Sequence, residues 1–237
     1  MSEHPRSPGT DDPNARHDSN VDGDPNARHD SNVDGDPTVE GGPSPDRWLA
    51  GPDVLDAELP PDAQAALGRF LGSDPVGTLG EWADALRDQV GGRIRIEDLC
   101  LTDEPTPHWG TVDGDRHHFA CFYDAVILAA IEDRPVDIRT ESPGGAVIEA
   151  HAVGGTDLAV TPEEAVFSFG IDEAVDPPGE DGPTLERGYA AICPYVKAFP
   201  DVEAYERWAE RVPAATVATP LAGATDLAGT LAADPSG

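Results

Sequence analysis

The chain has 237 residues, of which 46 are Asp or Glu and only 15 are Lys or Arg, so its formal net charge at pH 7 is −31. This charge argues against a nucleic-acid partner, because nucleic-acid binding depends on Lys and Arg that neutralise phosphates. It argues equally against binding to an anionic membrane surface. Acidic residues spread along the whole chain are typical of a surface adapted to concentrated salt, where ions screen the self-repulsion.

The sequence also indicates a cellular compartment. No apolar run is long enough to span a bilayer, and the N-terminus MSEHPRSPGT lacks the apolar core of a signal peptide, so we expect a cytoplasmic protein. The three cysteines, at positions 100, 121 and 193, make a poor disulfide framework, and cytoplasmic thiols are normally reduced. The composition therefore raises the question of whether any of these thiols is reactive or binds a metal.

The N-terminal segment contains a perfect tandem repeat. The sequence DPNARHDSNVDG occupies residues 12–23 and recurs unchanged at residues 24–35. Its Asp and Asn residues suggest a calcium loop, but the closing Glu of such a loop is missing. Because so polar a segment cannot bury enough surface to offset chain entropy, we expect residues 1–45 to be a disordered acidic tail.

Two amphipathic helices are predicted next. The first covers residues 59–71, with apolar side chains at helical spacing and prolines at its start, where helices accept them. The second begins at Thr78, with Glu81 three residues later in a capping box, and ends before a Gly-Gly pair. Together they predict a small N-terminal helical unit over residues 46–105.

From residue 108 the pattern changes to short alternating segments. HWGTVDGDRHHFA is typical of a hairpin that turns at Asp113-Gly114, and CFYDAVILAAI is apolar enough for a buried helix. A last helix is predicted to start at an Asp201 cap. Strands are predicted over residues 136–140, 146–153, 158–160, 165–171 and about 189–199. The sequence thus predicts an α+β protein with antiparallel strands and a buried helix over residues 106–215, followed by a loose tail over residues 216–237.

One local pattern predicts a reactive pair of side chains. If CFYDAVILAAI is helical, Cys121 and Asp124 share a face of its first turn, where the helix dipole should lower the pKa of the thiol. Partial burial should raise the pKa of the Asp124 carboxyl, so that it can take a proton from a thiol and return it to another atom. The alternative is structural: an Asp that complements the helix dipole beside a small buried Cys.

Two longer stretches resemble the organomercurial (alkylmercury) lyase family. TPHWGTVDGDRHHFACFYDAVILAAI is similar to the family's first active-site segment, in which a hairpin leads into a Cys-x-x-Asp helix, and ICPYVKAFPDVEAYERW is similar to the second. The resemblance covers residues 106–212 and implies that residues 106–215 form a catalytic domain. It further implies that Cys121 and Cys193 bind mercury, that Asp124 shuttles the proton and contacts the mercury(II) product, and that the N-terminal unit is a reduced winged-helix-like one.

The resemblance also implies a reaction and its partners. Two thiolates select mercury, a very soft cation, and weaken its bond to carbon, and a proton from Asp124 then releases the hydrocarbon. Mercury is here substrate and product, so no cofactor is expected, and the substrate is a small organomercurial. Low-molecular-weight thiols are expected for turnover, and such thiols or a mercuric reductase are expected to accept the mercury.

The sequence departs from the family pattern at three positions. Pro194 stands where family members often carry a second Cys, and a further structural Cys of many members is replaced at about Thr140. Ala120 replaces an aromatic residue before the first active-site Cys, which affects the expected shape of the pocket.

The remaining candidate residues are interpreted more simply. Cys100, between two leucines, is expected to be a core residue rather than a ligand. His108, His117 and His118 lie near Cys121, but without C-x-x-C or H-x-x-x-H spacing they give a zinc site weak support. Two other functions stay open: a non-catalytic protein of the same fold that binds mercury or another soft metal, and a regulator that places its N-terminal helices on DNA.

Overall fold

The structure is a computed structural model that describes residues 47–51, 54–180 and 182–233. The tandem repeat and the expected disordered tail lie outside these residues. Within them the helices are α1 (Pro61–Leu71), α2 (Leu79–Gln89), α3 (Tyr123–Glu132), α4 (Leu185–Ala191), α5 (Val202–Ala209) and α6 (Thr225–Ala232). The strands are β1 (Leu101–Thr102), β2 (Trp109–Val112), β3 (Asp115–Phe119), β4 (Pro135–Glu141), β5 (Val147–Val153), β6 (Asp157–Thr161), β7 (Val166–Asp172), β8 (Lys197–Phe199) and β9 (Ala214–Pro220). None of the helices in the described ranges has the length and apolar character that a bilayer crossing requires.

The strands form two antiparallel sheets. The larger has the order β1-β3-β2-β4-β5-β6, and the smaller has the order β8-β7-β9. The predicted hairpin is β2-β3, which turns at Asp113 (φ 51°) and Gly114 (φ 92°), the left-handed backbone that an Asp-Gly turn requires. With α3 buried beside these sheets, the predicted α+β class is confirmed.

The two N-terminal helices form as their sequence predicts. Prolines lie at the start of α1, and Gly72 ends it in the left-handed conformation (φ 70°). The Thr78 hydroxyl caps α2 by accepting the backbone N–H of Glu81. The Glu81 carboxylate accepts the N–H of Gly77 rather than that of the cap residue, so the capping box is shifted by one position.

These helices share a hydrophobic core with the rest of the described residues. Trp82 of α2 meets Phe169 of β7 edge to face, with ring centroids 4.8 Å apart, and buried residues of α1, α3 and α6 belong to the same cluster. The described residues accordingly lie in one compact unit. A winged-helix-like arrangement of the N-terminal part stays a prediction.

The C-terminal part differs from the sequence-based expectation. The loose tail expected over residues 216–237 is wrong for residues 216–233, because β9 pairs with β7 along its whole length and α6 buries Leu227 and Leu231. Its small residues suggested a lack of structure, but here they allow close packing: a Cβ on Gly229 would lie 3.3 Å from the Gly155 carbonyl oxygen. Residues 234–237 lie outside the described part.

The segment around the third cysteine also differs. A strand was expected over about residues 189–199, whereas only Lys197–Phe199 is a strand. The Thr184 hydroxyl caps the backbone N–H of Arg187 and starts α4, and a 3-10 turn over Cys193–Tyr195 follows. As predicted, the Asp201 carboxylate caps the next helix, α5, by accepting the N–H of Ala204.

Candidate active site

Three thiols and one carboxyl meet in the interior of the protein. The sulfur atoms of Cys100, Cys121 and Cys193 all lie within 4.8 Å of one another. Cys100 Sγ is 3.9 Å from Cys121 Sγ, and Cys121 Sγ is 4.0 Å from Asp124 Oδ1. The structure therefore brings together the three residues that the resemblance singles out, and adds Cys100 to them.

Cys100 is placed beside Cys121 by the short strand pair β1-β3. Leu101 pairs with Phe119, and the backbone N–H of Ala120 donates to the Cys100 carbonyl at 3.0 Å. The backbone N–H of Cys121 points at Cys100 Sγ, 3.3 Å away. The proximity of Cys100 to Cys121 therefore depends on β1, which is only two residues long and too short to be predicted from sequence periodicity.

Asp124 lies in the first turn of α3 and is buried, with 9% of its surface exposed. Its Oδ2 accepts the backbone N–H of Cys100, which fixes the carboxyl between the Cys100 backbone and the Cys121 sulfur. Tyr123 next to it stacks on Phe167, with ring centroids 4.6 Å apart, so apolar rings shield this end of the helix from water.

Cys193 is brought to the cluster by α4 and by contacts between its turn and the smaller sheet. The Ser168 hydroxyl of β7 donates to the Tyr195 carbonyl at 2.7 Å. Gly170 of β7 permits this close approach, since a Cβ there would lie 3.0 Å from the Tyr195 Cβ. Cys193 is partly exposed, while Cys100 and Cys121 are buried, so the cluster has one side open to small molecules.

The thiols and the carboxyl influence one another's protonation. Burial raises the pKa of Asp124 well above its usual value, and the nearby Cys100 sulfur acts in the same direction. Hydrogen bonding with the thiols of Cys121 and Cys193 lowers the pKa of Cys100. The pKa values of Cys121 and Cys193 are raised, chiefly by the hydrogen bond that each shares with Cys100, and burial adds to the effect. The cluster thus favours one shared thiolate beside a protonated carboxyl.

The expected fall in the pKa of Cys121 is therefore wrong. The helix begins at Tyr123, so Cys121 precedes its first turn, and the hydrogen bond with Cys100 together with burial raises the pKa of the Cys121 thiol. The interpretation of Cys100 as a plain core residue is also incomplete. It is buried as expected, but its sulfur faces two other sulfurs and a backbone N–H rather than apolar side chains alone.

An apolar cavity of about 90 Å³ opens onto the cluster. Cys121, Asp124 and Cys193 line it, whereas Cys100 does not. Most of the wall comes from large apolar side chains, among them Phe70, Trp82, Phe169, Ile192, Leu227 and Leu231. The cavity can therefore hold a small apolar group next to two sulfurs and a carboxyl.

The other candidate residues do not join the cluster. His108 Nδ1 lies 2.6 Å from the Thr140 hydroxyl, so Thr140, at the expected position of a family Cys, is buried in a hydrogen bond to this histidine. Burial lowers the pKa of His108 to about 4, so the ring is neutral at pH 7. His118 Nδ1 accepts the backbone N–H of Thr106. Among the described residues, the grouping suited to a metal ion is formed by the three cysteines alone.

The residues that replace family positions lie away from the cavity. Ala120 and Pro194 are both exposed, and neither lines the cavity. The small side chain of Ala120 therefore contributes nothing to the cavity wall.

The chain is similar to a known family and to individual proteins. Residues 101–233, more than half of the chain, match the family described as alkylmercury lyase. A curated relative, "Alkylmercury lyase" from Streptomyces lividans, is 34% identical over 136 residues, which are 57% of this chain and 58% of the relative. This chain thus matches less than two thirds of that protein's length. The crystal structure of the mercury-bound form of MerB2 is similar at 18% identity with a TM-score of 0.42, over 75% of this chain and 93% of that chain.

Proposed function

This chain belongs to the alkylmercury lyase family, and from that premise we propose that it cleaves carbon–mercury bonds by protonolysis, releasing a hydrocarbon and mercury(II). The observation that supports this most is the buried, proton-retaining Asp124 carboxyl 4.0 Å from the Cys121 sulfur and on the wall of an apolar cavity. A buried acid beside two thiols has a clear use in a reaction that must deliver a proton to carbon.

The first step is capture of the substrate by sulfur. A Cys121 or Cys193 sulfur displaces the ligand X from the organomercurial R–Hg–X, and the thiol proton leaves with X. The second of these sulfurs then binds the same mercury, which weakens the mercury–carbon bond by adding electron density to the metal. Both sulfurs line the cavity, so one substrate bound there reaches both of them.

The second step is protonation of carbon. As the mercury–carbon bond breaks, Asp124 gives its proton to the carbon and takes in its place the proton that the second thiol releases on binding the mercury. The overall reaction is R–Hg–X plus two thiols giving R–H, HX and mercury held by two thiolates, with Asp124 unchanged at the end. Fixing the acid beside the reacting carbon supplies most of the rate enhancement.

The apolar cavity accounts for binding of the organic group. Its walls carry aromatic and branched aliphatic side chains, and burial of an aryl or alkyl group against them is favourable by about 25 cal/mol per Å² of apolar surface. Cys193, the partly exposed thiol, is the point at which small external thiols, or a mercuric reductase, remove the mercury. No resident cofactor takes part in this scheme.

A non-catalytic soft-metal binding protein is the second candidate, and the triangle of sulfurs favours it, since three clustered thiols suffice to chelate a soft ion. The two functions differ in their need for Asp124. A chelator has no use for a buried protonated carboxyl, whereas protonolysis depends on one.

Release of benzene from phenylmercury tests the proposal. We expect the purified chain, in high salt with excess small thiol, to release benzene, and we expect Cys121→Ser and Cys193→Ser to abolish the release. Asp226→Asn is the matched control for changes at Asp124, because Asp226 occupies the same second position of its helix but is exposed. Stoichiometric mercury binding without benzene would establish the chelator instead.

A further inference from the structure

We propose that Cys100 is a third sulfur ligand, so that mercury(II) on this protein is bound by three sulfurs rather than by Cys121 and Cys193 alone. The proposal deepens the lyase function and rests on it for the origin of the mercury. It does not rest on it for the binding site, which is built from residues of this chain.

The distances between the sulfurs suit a single shared ion. An ion at the centre of a triangle lies at the side length divided by the square root of three from each corner. For sides between the 3.9 Å of the Cys100–Cys121 pair and the 4.8 Å limit of the group, this gives about 2.3–2.8 Å. Thiolate bonds to a metal such as zinc are about 2.3 Å long, so the sulfurs need only small movements to bind together.

The position of Cys100 is held by its backbone. Its N–H donates to Asp124, its carbonyl accepts the N–H of Ala120, and its sulfur lies 3.3 Å from the N–H of Cys121. A buried free Cys is commonly a small apolar side chain of the core. Here, however, the sulfur points at two other sulfurs and a hydrogen-bond donor, which is the environment of a ligand held ready for a cation.

The cavity gives the order in which the sulfurs act. Cys121 and Cys193 line the cavity and meet the organomercurial first, whereas Cys100 is not part of the cavity lining. While the organic group is bound, carbon and two sulfurs surround the mercury. Departure of the hydrocarbon leaves one position vacant, and the Cys100 sulfur binds the mercury there as its thiol proton leaves to solvent. The third sulfur thus holds the product until an external thiol reaches it through Cys193.

Direct loading with mercury(II) chloride tests this assignment without any cleavage step. Mercury(II) chloride and three protein thiols give a tris-thiolate anion, three protons and two chloride ions. X-ray absorption on the full chain with one equivalent of mercury should count three sulfur neighbours in the wild type and two in Cys100→Ser. Two sulfurs in the wild type, or the same count in both proteins, would overturn the proposal.

A check of folding and a second variant distinguish loss of a ligand from loss of the fold. Far-UV circular dichroism checks the fold of Cys100→Ser, and Cys100→Ala is the second variant, which removes the ligand atom altogether. Transfer of mercury(II) to an external dithiol should be at least about tenfold faster in either variant, since loss even of an outer-shell partner typically costs 10–100-fold in metal affinity. Equal transfer rates in wild type and variants would count against a third ligand.

The two proposals fail separately. Three sulfurs around directly loaded mercury, together with no benzene from phenylmercury, would refute the lyase activity and support Cys100 as a ligand. Benzene release with only two sulfurs around the product would support the activity and refute the role of Cys100.

Discussion

Replacement of Asp124 by Asn separates mercury binding from protonolysis. The amide oxygen of Asn can still accept the Cys100 N–H that Asp124 Oδ2 now accepts, so the position of the side chain should be retained. The amide has no acidic proton to give to carbon. We therefore expect Asp124→Asn to bind phenylmercury and mercury(II) like the wild type but to release benzene slowly.

The size of the loss follows from the role of the residue. A positioned general acid contributes about 10²–10⁴-fold, so single-turnover benzene release should slow by that factor. This corresponds to about 2.7–5.4 kcal/mol in the activation free energy. The acid is within 4.0 Å of the Cys121 sulfur and shielded from water, so solvent is a poor replacement as proton donor.

Although Asp124→Asn should lose activity, its free energy of unfolding should be higher than that of the wild type. The pKa of Asp124 is raised by burial in the folded chain, so above the ordinary value of 3.8 the unfolded chain loses this proton while the folded chain keeps it. The carboxyl therefore destabilises the fold increasingly as the pH rises from that value to the folded-state pKa. Asn carries no such penalty, so the variant should gain unfolding free energy relative to the wild type between about pH 5.5 and pH 8.

Gas chromatography of benzene after single turnover and urea unfolding at the two pH values measure these effects. Asp226→Asn, the exposed counterpart in α6, should leave both results at wild-type values. Wild-type benzene release by Asp124→Asn would remove this residue from the mechanism. A stability difference between variant and wild type that is the same at both pH values would show that the buried carboxyl is ionised rather than protonated.

Three further changes test protonation and packing at residues other than the cysteines and Asp124. Burial lowers the pKa of His108 to about 4, so the unfolding free energy of the wild type should fall as the pH drops from 6.5 towards 4, and His108→Gln should flatten this dependence in urea titrations. Tyr123→Phe removes a hydrogen bond to the Ala224 carbonyl at 2.6 Å and should cost about 1 kcal/mol, so an unchanged urea midpoint would contradict this contact. Leu231→Ala should cost about 2–5 kcal/mol and, because Leu231 lines the cavity, should raise kcat/KM for bulky aryl mercurials relative to methylmercury; a uniform change for both substrates would argue against the cavity as the site of the organic group.

Local patterns in the sequence were sufficient for much of the fold. The Asp-Gly turn, the Thr78 and Asp201 caps and the strands β4 to β7 were predicted from patterns within a few residues, and each is confirmed, although β7 is buried along both faces rather than alternating. The C-terminal segment was missed because its small residues carry little periodic signal. Their packing becomes favourable only once β7 and α3 provide the surfaces on which they lie.

In the candidate site, too, local sequence patterns predict only contacts between residues close together in the chain. Cys121 and Asp124 stand three positions apart, so their proximity follows from local structure. Cys193 was joined to them only through the family resemblance, since no local pattern links residues so distant in the chain. Cys100 was missed because a two-residue strand places it, and its apolar neighbours Leu99 and Leu101 gave the signal of an ordinary core position.

In the proposed reaction a proton reaches carbon while the mercury stays on protein sulfur. A single turnover of phenylmercury in heavy water, with no external thiol and the chain in excess, measures both events at once. We expect one monodeuterated benzene for each mercury(II) retained by the chain. Phenylmercury that remains intact on the cysteines, with no benzene formed, would contradict it.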